Sequence, residues 1–421
     1  MFDADRWQEI FGALKKNKLR TFFTAFGVFW GIFMLIIMLG SGNGLSNGVN
    51  QGMEDFATNS LFMWTQSTSL PYKGLPRGRR FNFRNDDIKA LKEKVPEIQY
   101  LAPRLNGWGR DGANNVVRGD KNGAFNIFGD YPEWNKIDPV TITRGRFLNH
   151  KDIDECRKVA VIGNRVVELL FRQDENPVGQ YIQIQGVFFQ IVGTFKPKNL
   201  NVNMGGDKEE TIYIPFTTLQ RTYNFGDIVG WFSITSDENT PVSEVEAKVK
   251  NVLKSRHNIA PEDDRAIGSF NLEQEFIKMK GLFRGIDILV WIVGLGTLFA
   301  GVVGISNIML IVVKERTKEI GIQRAIGATP AIIMSQIVAE SVILTTLAGY
   351  LGLVAGVGLL ELVSSLLPPA GTGNQMFVNP EVDFSIAMKA LAVLIVSGAI
   401  AGIIPARKAI SVKPIDALRY E

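Results

Sequence analysis

The sequence predicts an α+β integral membrane protein: four transmembrane helices, with a large mixed α/β extracytoplasmic domain between the first and second spans. Three observations predict it. Apolar runs occupy residues 22–39, 288–313, 341–360 and 390–406, each close to the roughly 20 residues that a helix needs to cross about 30 Å of hydrocarbon. Their spacing is unequal, with a polar stretch of domain size between the first and the second. Mean hydropathy is only +0.08, which suits a chain divided between membrane and water.

Taken in order, residues 1–20 read as a cytoplasmic interfacial helix. Trp7, Ile10, Phe11 and Leu14 follow helical spacing ahead of Lys15, Lys16 and Lys18, the pattern of a helix lying in the headgroup region; a plain amphipathic lead-in is the equal alternative. Spans follow at 21–43, 286–313, 330–367 and 385–406. The extracytoplasmic domain takes 44–285, a short charged helix 314–329, an extracytoplasmic loop 368–384 and a cytoplasmic tail 407–421. The first run is too long for a signal-peptide core and no small-x-small cleavage site follows closely, so it is expected to be an uncleaved anchor.

Orientation follows from Lys and Arg near the span ends. Arg6, Lys15, Lys16, Lys18 and Arg20 precede the first span; Lys314, Arg316, Lys318 and Arg324 lie between the second and third; Arg407, Lys408, Lys413 and Arg419 follow the fourth. Only Lys389 stands in the third-to-fourth loop, against Glu381 and Asp383. Both termini are expected to be cytoplasmic, in a multi-pass protein of the bacterial cytoplasmic (inner) membrane.

Composition excludes several functions. The net charge of +4 is modest, and the basic residues gather beside apolar runs rather than in a nucleic-acid footprint. Cys156 is the single cysteine, so no intrachain disulfide or Cys-based metal site is available. His150 and His257 are the only histidines and no H-E-x-x-H occurs. The sequence holds no G-x-x-x-x-G-K-[ST], hence no P-loop, and no cofactor or catalytic residue is expected in this chain. His150, Asp152, Asp154 and Cys156 lie close together; the preferred reading is a polar turn before a strand rather than a metal site.

Within the domain, strands are expected at 60–66, 98–101, 115–117, 159–162, 181–185, 188–195, 211–214 and 228–235, from β-branched and aromatic residues bounded by Gly or Asn. Helices are expected at 85–94, capped by Asn85 or Asp86, at 242–254, and from 271 into the second span. Residues 55–119 with 228–280 form one expected part, and 120–227 a strand-rich insert. Residues 67–80, rich in Gly and Pro, read as a mobile loop.

Small residues recur in the spans: Gly27 and Gly31; Gly296, Ala300 and Gly304; Gly352 and Gly356; Gly398 and Gly402. Such pairs permit close helix approach in lipid, and with Asn307 they are the candidate packing positions. Glu340, early in the third span, is the candidate intramembrane polar site. So few polar groups do not make a hydrophilic pathway through the bundle.

Between the second and third spans the chain reads NIMLIVVKERTKEIGIQRAIGATP. Charges at Lys314, Glu315, Arg316, Lys318 and Glu319 stand beside an apolar set, Ile320, Ile322, Ala325 and Ile326. Thr329 is a plausible cap, with Pro330 at the first helical position. A short helix with both faces suggests a docking partner. This stretch, with IPARKAISVKPIDALRYE at 404–421 and KNKLRTFFTA at 16–25, resembles the FtsX/MacB-type ABC permease family. GRFL at 145–148, VAVIG at 159–163, NPVG at 176–179 and IVGTF at 191–195 are similar to the MacB-type extracytoplasmic domain. The resemblance covers nearly the whole chain.

It implies a permease dimer, of identical or different chains, working with a separate P-loop ABC ATPase that binds ATP and Mg. Residues 314–329 would be the coupling helix, with Glu315, Arg316, Thr317, Glu319, Ile320, Gly321, Arg324 and Gly327 forming or positioning the ATPase contact. The MacB branch implies efflux by mechanotransmission, often with a periplasmic adaptor and an outer-membrane channel. A lipoprotein-releasing permease is the near alternative, and an FtsX-like signalling subunit controlling a cell-wall hydrolase the distant one. Two departures stand out: Gln323 where many members are basic, and the lack of the ATPase fused to MacB.

Overall fold

A computed structural model describes residues 18–53, 56–108, 115–198, 206–367, 377–381 and 384–411. The expected helix at 1–20 and tail at 407–421 lie largely outside the described residues, as does much of 368–384. The chain forms two compact units, residues 1–49 with 281–421, and residues 50–280.

Helices in chain order are α1 Lys18–Met53, α2 Asn85–Lys94, α3 Trp134–Ile137, α4 His150–Asp154, α5 Asn164–Leu170, α6 Phe216–Thr222, α7 Val242–Arg256, α8 Leu272–Glu315, α9 Thr317–Ala325, α10 Pro330–Leu366 and α11 Phe384–Ile410. Strands are β1 Ser60–Thr65, β2 Phe83–Arg84, β3 Ile98–Trp108, β4 Val116–Arg118, β5 Lys121–Gly123, β6 Asn126–Asp130, β7 Val140–Gly145, β8 Val159–Gly163, β9 Tyr181–Ile184, β10 Val187–Pro197, β11 Thr211–Pro215, β12 Ile228–Val229, β13 Trp231–Ser236 and β14 Ile267–Asn271.

In the first unit, α1, α8, α10 and α11 are each long and apolar enough to cross a membrane. Val28, Ile32, Leu35 and Ile36 of α1, Leu298 and Ile305 of α8, Leu344 and Ala348 of α10 and Leu394 and Ala401 of α11 share one buried cluster. The closest pairing is α10 on α11. A Cβ on Gly402 would lie 2.9 Å from the Cα of Val338, and one on Gly398 would overlap the Thr345 hydroxyl, 3.0 Å from the Cα of Val342. Against α1, Gly352 meets the Phe29 carbonyl and Gly356 the Ile36 side chain. A Cβ on Gly31 would meet Thr297 and Leu298 at ordinary distance, and one on Gly27 would lie 3.9 Å from the Gly301 Cα.

Span two departs from the expected packing. A Cβ at Gly296 or Gly304 would meet nothing within 4 Å, and Asn307 is exposed. Gly301 and Gly294 make the close approaches instead, against Val28 and Leu35. The glycines of this span that pack, Gly294 and Gly301, are seven positions apart rather than four. A helix apolar all round gives no signal for which side faces the bundle.

The second unit is built on a twelve-stranded sheet in the order β14-β1-β13-β3-β6-β11-β8-β10-β9-β4-β5, with β7 also on β10; β12 and β2 form a separate pair. Two expected boundaries change. Strand β4, placed in the first part, pairs with β9 and β5 of the insert. The strand expected at 228–235 is divided at Gly230 into β12, which pairs with β2, and β13, which pairs with β1 and β3. The two parts share one sheet through β3 and β6.

Motif glycines of the insert mark crowded backbone. Gly145 has φ +74° and a Cβ there would overlap the Val192 carbonyl, a position that only glycine accepts without strain. Residues 67–80, expected to be mobile, are instead held. Thr68 and Arg79 exchange backbone and side-chain hydrogen bonds, Asp263 accepts from the amides of Ser69 and Leu70, and Arg79 donates to the His257 carbonyl. The cap of α2 lies one residue before the expected ones: Arg84 is the N-cap, and its amide donates to the Asp87 carboxylate at 2.8 Å. The His150–Cys156 cluster is a capped helical turn. The side chains of Asn149 and Asp152 each accept from the other's amide at 3.0 Å, while Asp152 is clamped by both Arg146 nitrogens at 2.6 and 3.0 Å. No metal-ligand group occurs among the described residues.

A buried charged cluster sits where β3, β6 and β11 adjoin. Arg104 Nε pairs with Asp130 at 2.9 Å, both essentially fully buried. Its guanidinium lies 3.9 Å from the ring centres of Phe128 and Trp134, within cation–π range. Lys208 pairs with Asp138 at 2.7 Å beside it. Burial pushes the Asp130 carboxyl up to about 7, opposed by the charge of Arg104 and reinforced by Asp138.

Candidate functional site

The chain turns between α8 and α10 through α9, and this short helix is the candidate site. Thr317 anchors the turn, its hydroxyl donating to the carbonyls of Val313 and Lys314 at 3.1 and 2.8 Å. The far end closes at Gly327, φ +112°, where the amide of Ala328 reaches back to the Gln323 carbonyl at 2.9 Å. A left-handed residue just past the last turn is a common helix stop, and glycine takes it most easily. Thr329 then enters α10 in extended conformation with Pro330 at its first turn; the threonine side chain makes no capping bond.

One face of α9 is fixed to the spans. Arg316 Nη1 donates to Glu340 Oε1 of α10 at 3.0 Å, with the carboxylate 9% exposed. Met309, Val312, Ile333 and Ile337, with Glu319, Gln323 and Gln336, surround the pair, and burial of the carboxylate raises the cost of breaking this charge-assisted hydrogen bond. Ile320 and Gly321 are buried, and Ile320 joins the core cluster of the bundle. Arg324 Nη1 donates to the backbone carbonyl of Ile410 at 2.8 Å, at the end of α11. A cation there satisfies a terminal carbonyl and meets the negative end of the helix dipole.

The opposite face is open. Glu315, Lys318, Glu319, Ile322, Ala325, Ile326 and Gly327 are exposed, Ile326 at 82%. The expected contact set therefore divides. Glu315, Glu319 and Gly327 face outward, whereas Arg316, Thr317, Ile320, Gly321 and Arg324 are turned to the bundle. Ile320 is a correction to the expected apolar docking set, because the bundle core already occupies it. Glu340 is brought to the site as the partner of Arg316. The Ile410 carbonyl was missed, since a backbone acceptor 86 positions away leaves no mark in the side-chain sequence.

Four apolar helices, an open-faced short helix fixed to two of them, and a large mixed α/β domain define a multi-pass membrane protein. Two family descriptions match: "MacB-like periplasmic core domain" over residues 21–252 and "FtsX-like permease C-terminal" over residues 291–414. The chain belongs to this MacB-like, FtsX-like family of ABC transporter permeases. It is 29% identical over 346 residues to the macrolide export ATP-binding/permease protein MacB of Bdellovibrio bacteriovorus, covering 82% of this chain and 50% of that protein. The MacB of Chlorobaculum tepidum is 28% identical over 418 residues, 98% of this chain and 61% of that one. The chain thus spans between half and three-fifths of the length of these relatives. An uncharacterized ABC transporter permease of Bacillus subtilis, YvrN, is 28% identical over 70% of each chain. The crystal structure of the periplasmic region of MacB from Actinobacillus actinomycetemcomitans aligns over 54% of this chain and 95% of its own, at 17% identity and a TM-score of 0.43.

Proposed function

We propose that this chain is the membrane subunit of an efflux or extrusion ABC transporter, in which α9 receives ATP-driven motion from a separate cytoplasmic ATPase and passes it to the spans. The carrying observation is the two-faced character of α9: one side held by Arg316–Glu340, Ile320 and Arg324–Ile410, the other presenting Ile322 and Ile326 among Glu315, Lys318 and Glu319. Exposed isoleucines rimmed by charges suit a partner groove. ATP and Mg belong to the partner, in keeping with the lack of a P-loop in this sequence. The positive charge beside α9 supports a cytoplasmic position for it at the inner membrane. The permease works as a dimer, and the outward Gly296, Gly304 and Asn307 of span two suit a second copy. MacB-type mechanotransmission to the α/β domain, with a periplasmic adaptor and outer-membrane channel, completes the reading.

The test is capture of the tagged chain in mild detergent with mass spectrometry of what it retains, repeated on Ile322→Asp/Ile326→Asp. Retention of a P-loop ATPase by the parent, lost in the variant with thermal unfolding unchanged, is expected. Equal retention by both, or no ATPase at all, would overturn the proposal; a co-captured cell-wall hydrolase would turn it toward signalling.

A further inference from the structure

The C-terminal half of α1 is rich in glycine. Gly40, Gly42, Gly44 and Gly48 fall within nine residues of this helix, and each glycine inside a helix weakens it relative to alanine. With 3.6 residues per turn, Gly40 and Gly44 lie on one side and Gly42 on the other. Packing accounts for the first two. A Cβ on Gly40 would overlap the Leu360 side chain of α10, and one on Gly44 would lie 2.8 Å from the Phe377 ring and 3.0 Å from Pro380. Packing does not account for Gly42, where a Cβ would meet only Asp287 Oδ1 at 3.9 Å. What glycine changes there is the backbone, which it leaves easier to open.

A short segment, residues 377–381, is tied across the same stretch. Asn43 and Asn47 stand one helical turn apart, on the face shared with Gly40 and Gly44. They donate their side-chain amides to the carbonyls of Glu381 and Asn379, each at 3.1 Å. In return the Val378 amide donates to the Gly44 carbonyl at 3.0 Å; a carbonyl oxygen has two lone pairs, so it can serve the segment and the helix together. Asn379 has φ +43°, a left-handed conformation that asparagine tolerates, and its carbonyl is the one that meets Asn47. Val378 is 6% exposed and Pro380 is buried. The segment is thus seated on α1 through its own backbone, with a ring and a proline in the space that Gly44 leaves open.

We propose that residues 40–48 are a yielding segment of α1 that the 377–381 strap holds helical, giving this helix an engaged and a released state. The three bonds close on residues 43–47, the middle of the glycine run. In the engaged state α1 carries displacement along its length as one rod. In the released state the glycine run absorbs it. This device goes beyond the transport reading above, and its test needs no partner ATPase.

The test is backbone hydrogen exchange of the full chain in lipid nanodiscs. Asn43→Ala/Asn47→Ala removes both side-chain donors. Exchange across residues 44–51 is expected to quicken about tenfold, while residues 28–39 of α1 keep their protection. The sign is diagnostic, because alanine is a better helix former than asparagine: a helix that stood without the strap would exchange more slowly in this variant. Adding Gly42→Ala, which has room for its methyl group, should slow exchange again by about fivefold. Unchanged or slower exchange in the double variant would overturn the strap. No slowing on addition of Gly42→Ala would overturn the yielding segment, and quickening over the whole of α1 would mark a general loss of packing and overturn both.

Discussion

Two buried arginine–carboxylate pairs hold this protein in different ways. Arg104 and Asp130 lie on neighbouring strands of one sheet, 2.9 Å apart and sealed by Phe128 and Trp134. Arg316 and Glu340 lie on opposite sides of the turn between two spans, 3.0 Å apart, with the arginine 22% exposed. The first pair is surrounded by a ladder that already fixes both backbones, so its loss removes stability. The second ties a short helix, with few other contacts, to a span, so its loss frees that helix. Similar chemistry braces a sheet in one place and clasps a short helix in the other, according to whether the backbones around the pair are already fixed by a ladder.

The sharpest way to break this contrast is Arg104→Ala, which leaves Asp130 buried without its counter-charge. A loss of about 3–5 kcal/mol is expected, read as a fall in the thermal or denaturant midpoint of the detergent-solubilised chain. Arg104→Met with Asp130→Leu should recover most of it, since exchanging a whole buried pair for apolar residues is often neutral. Glu340→Ala should act more gently, forfeiting a charged hydrogen bond of about 1.5–3 kcal/mol. Its signature is local: hydrogen exchange across Thr317–Ala325 should quicken 10- to 100-fold, as about 1.4 kcal/mol corresponds to tenfold, while β3 and β6 stay protected. The swap Arg316→Glu/Glu340→Arg should restore protection; failure to do so would show that the position of α9 does not depend on this pair.

Glycine substitutions extend the comparison to helix packing. Gly398→Leu would drive a side chain into Thr345 and Val342, with a cost of about 1–3 kcal/mol by overpacking. Gly304→Leu meets open space within its own chain and should shift the unfolding of an isolated chain by less than about 0.5 kcal/mol. A separate effect is on pH. Burial holds the Asp130 carboxyl at about 7, so the folded protein keeps a proton that the unfolded chain releases from about pH 4 upward. This group's contribution is fully present below about pH 4 and lost as pH rises through 7. Asp130→Asn should flatten the dependence of the thermal midpoint between pH 4 and 7; an unchanged slope would assign it to another group.

The same contrast separates what the sequence revealed from what it hid. The spans, α9 and most strands of the insert were legible, because each carries its signal in consecutive residues: an apolar run, a charged helix, a β-branched stretch between glycines. Strand β6, Asn126–Asp130, was missed. Its five residues are all buried, yet they include Asn126, Gly129 and Asp130, which read as loop until Arg104 is placed beside them. The Arg316–Glu340 pairing was hidden for a similar reason, since both residues were noted but nothing local links them. Residues 67–80 looked mobile because the carboxylate holding Ser69 and Leu70 belongs to Asp263, far along the chain. Local composition predicts elements, whereas the long-range bonds between them have to be seen.

The bond from Arg324 to the carbonyl of Ile410 also bears on how the protein is made. The acceptor follows the donor by 86 residues, an interval of about 4–17 s at the usual 5–20 residues per second of synthesis. Throughout that time α9 has been synthesised but the end of the fourth span does not exist. The inward face of α9 can be completed only after that span is made. A chain interrupted before α11 would present α9 with Arg324 lacking its Ile410 acceptor.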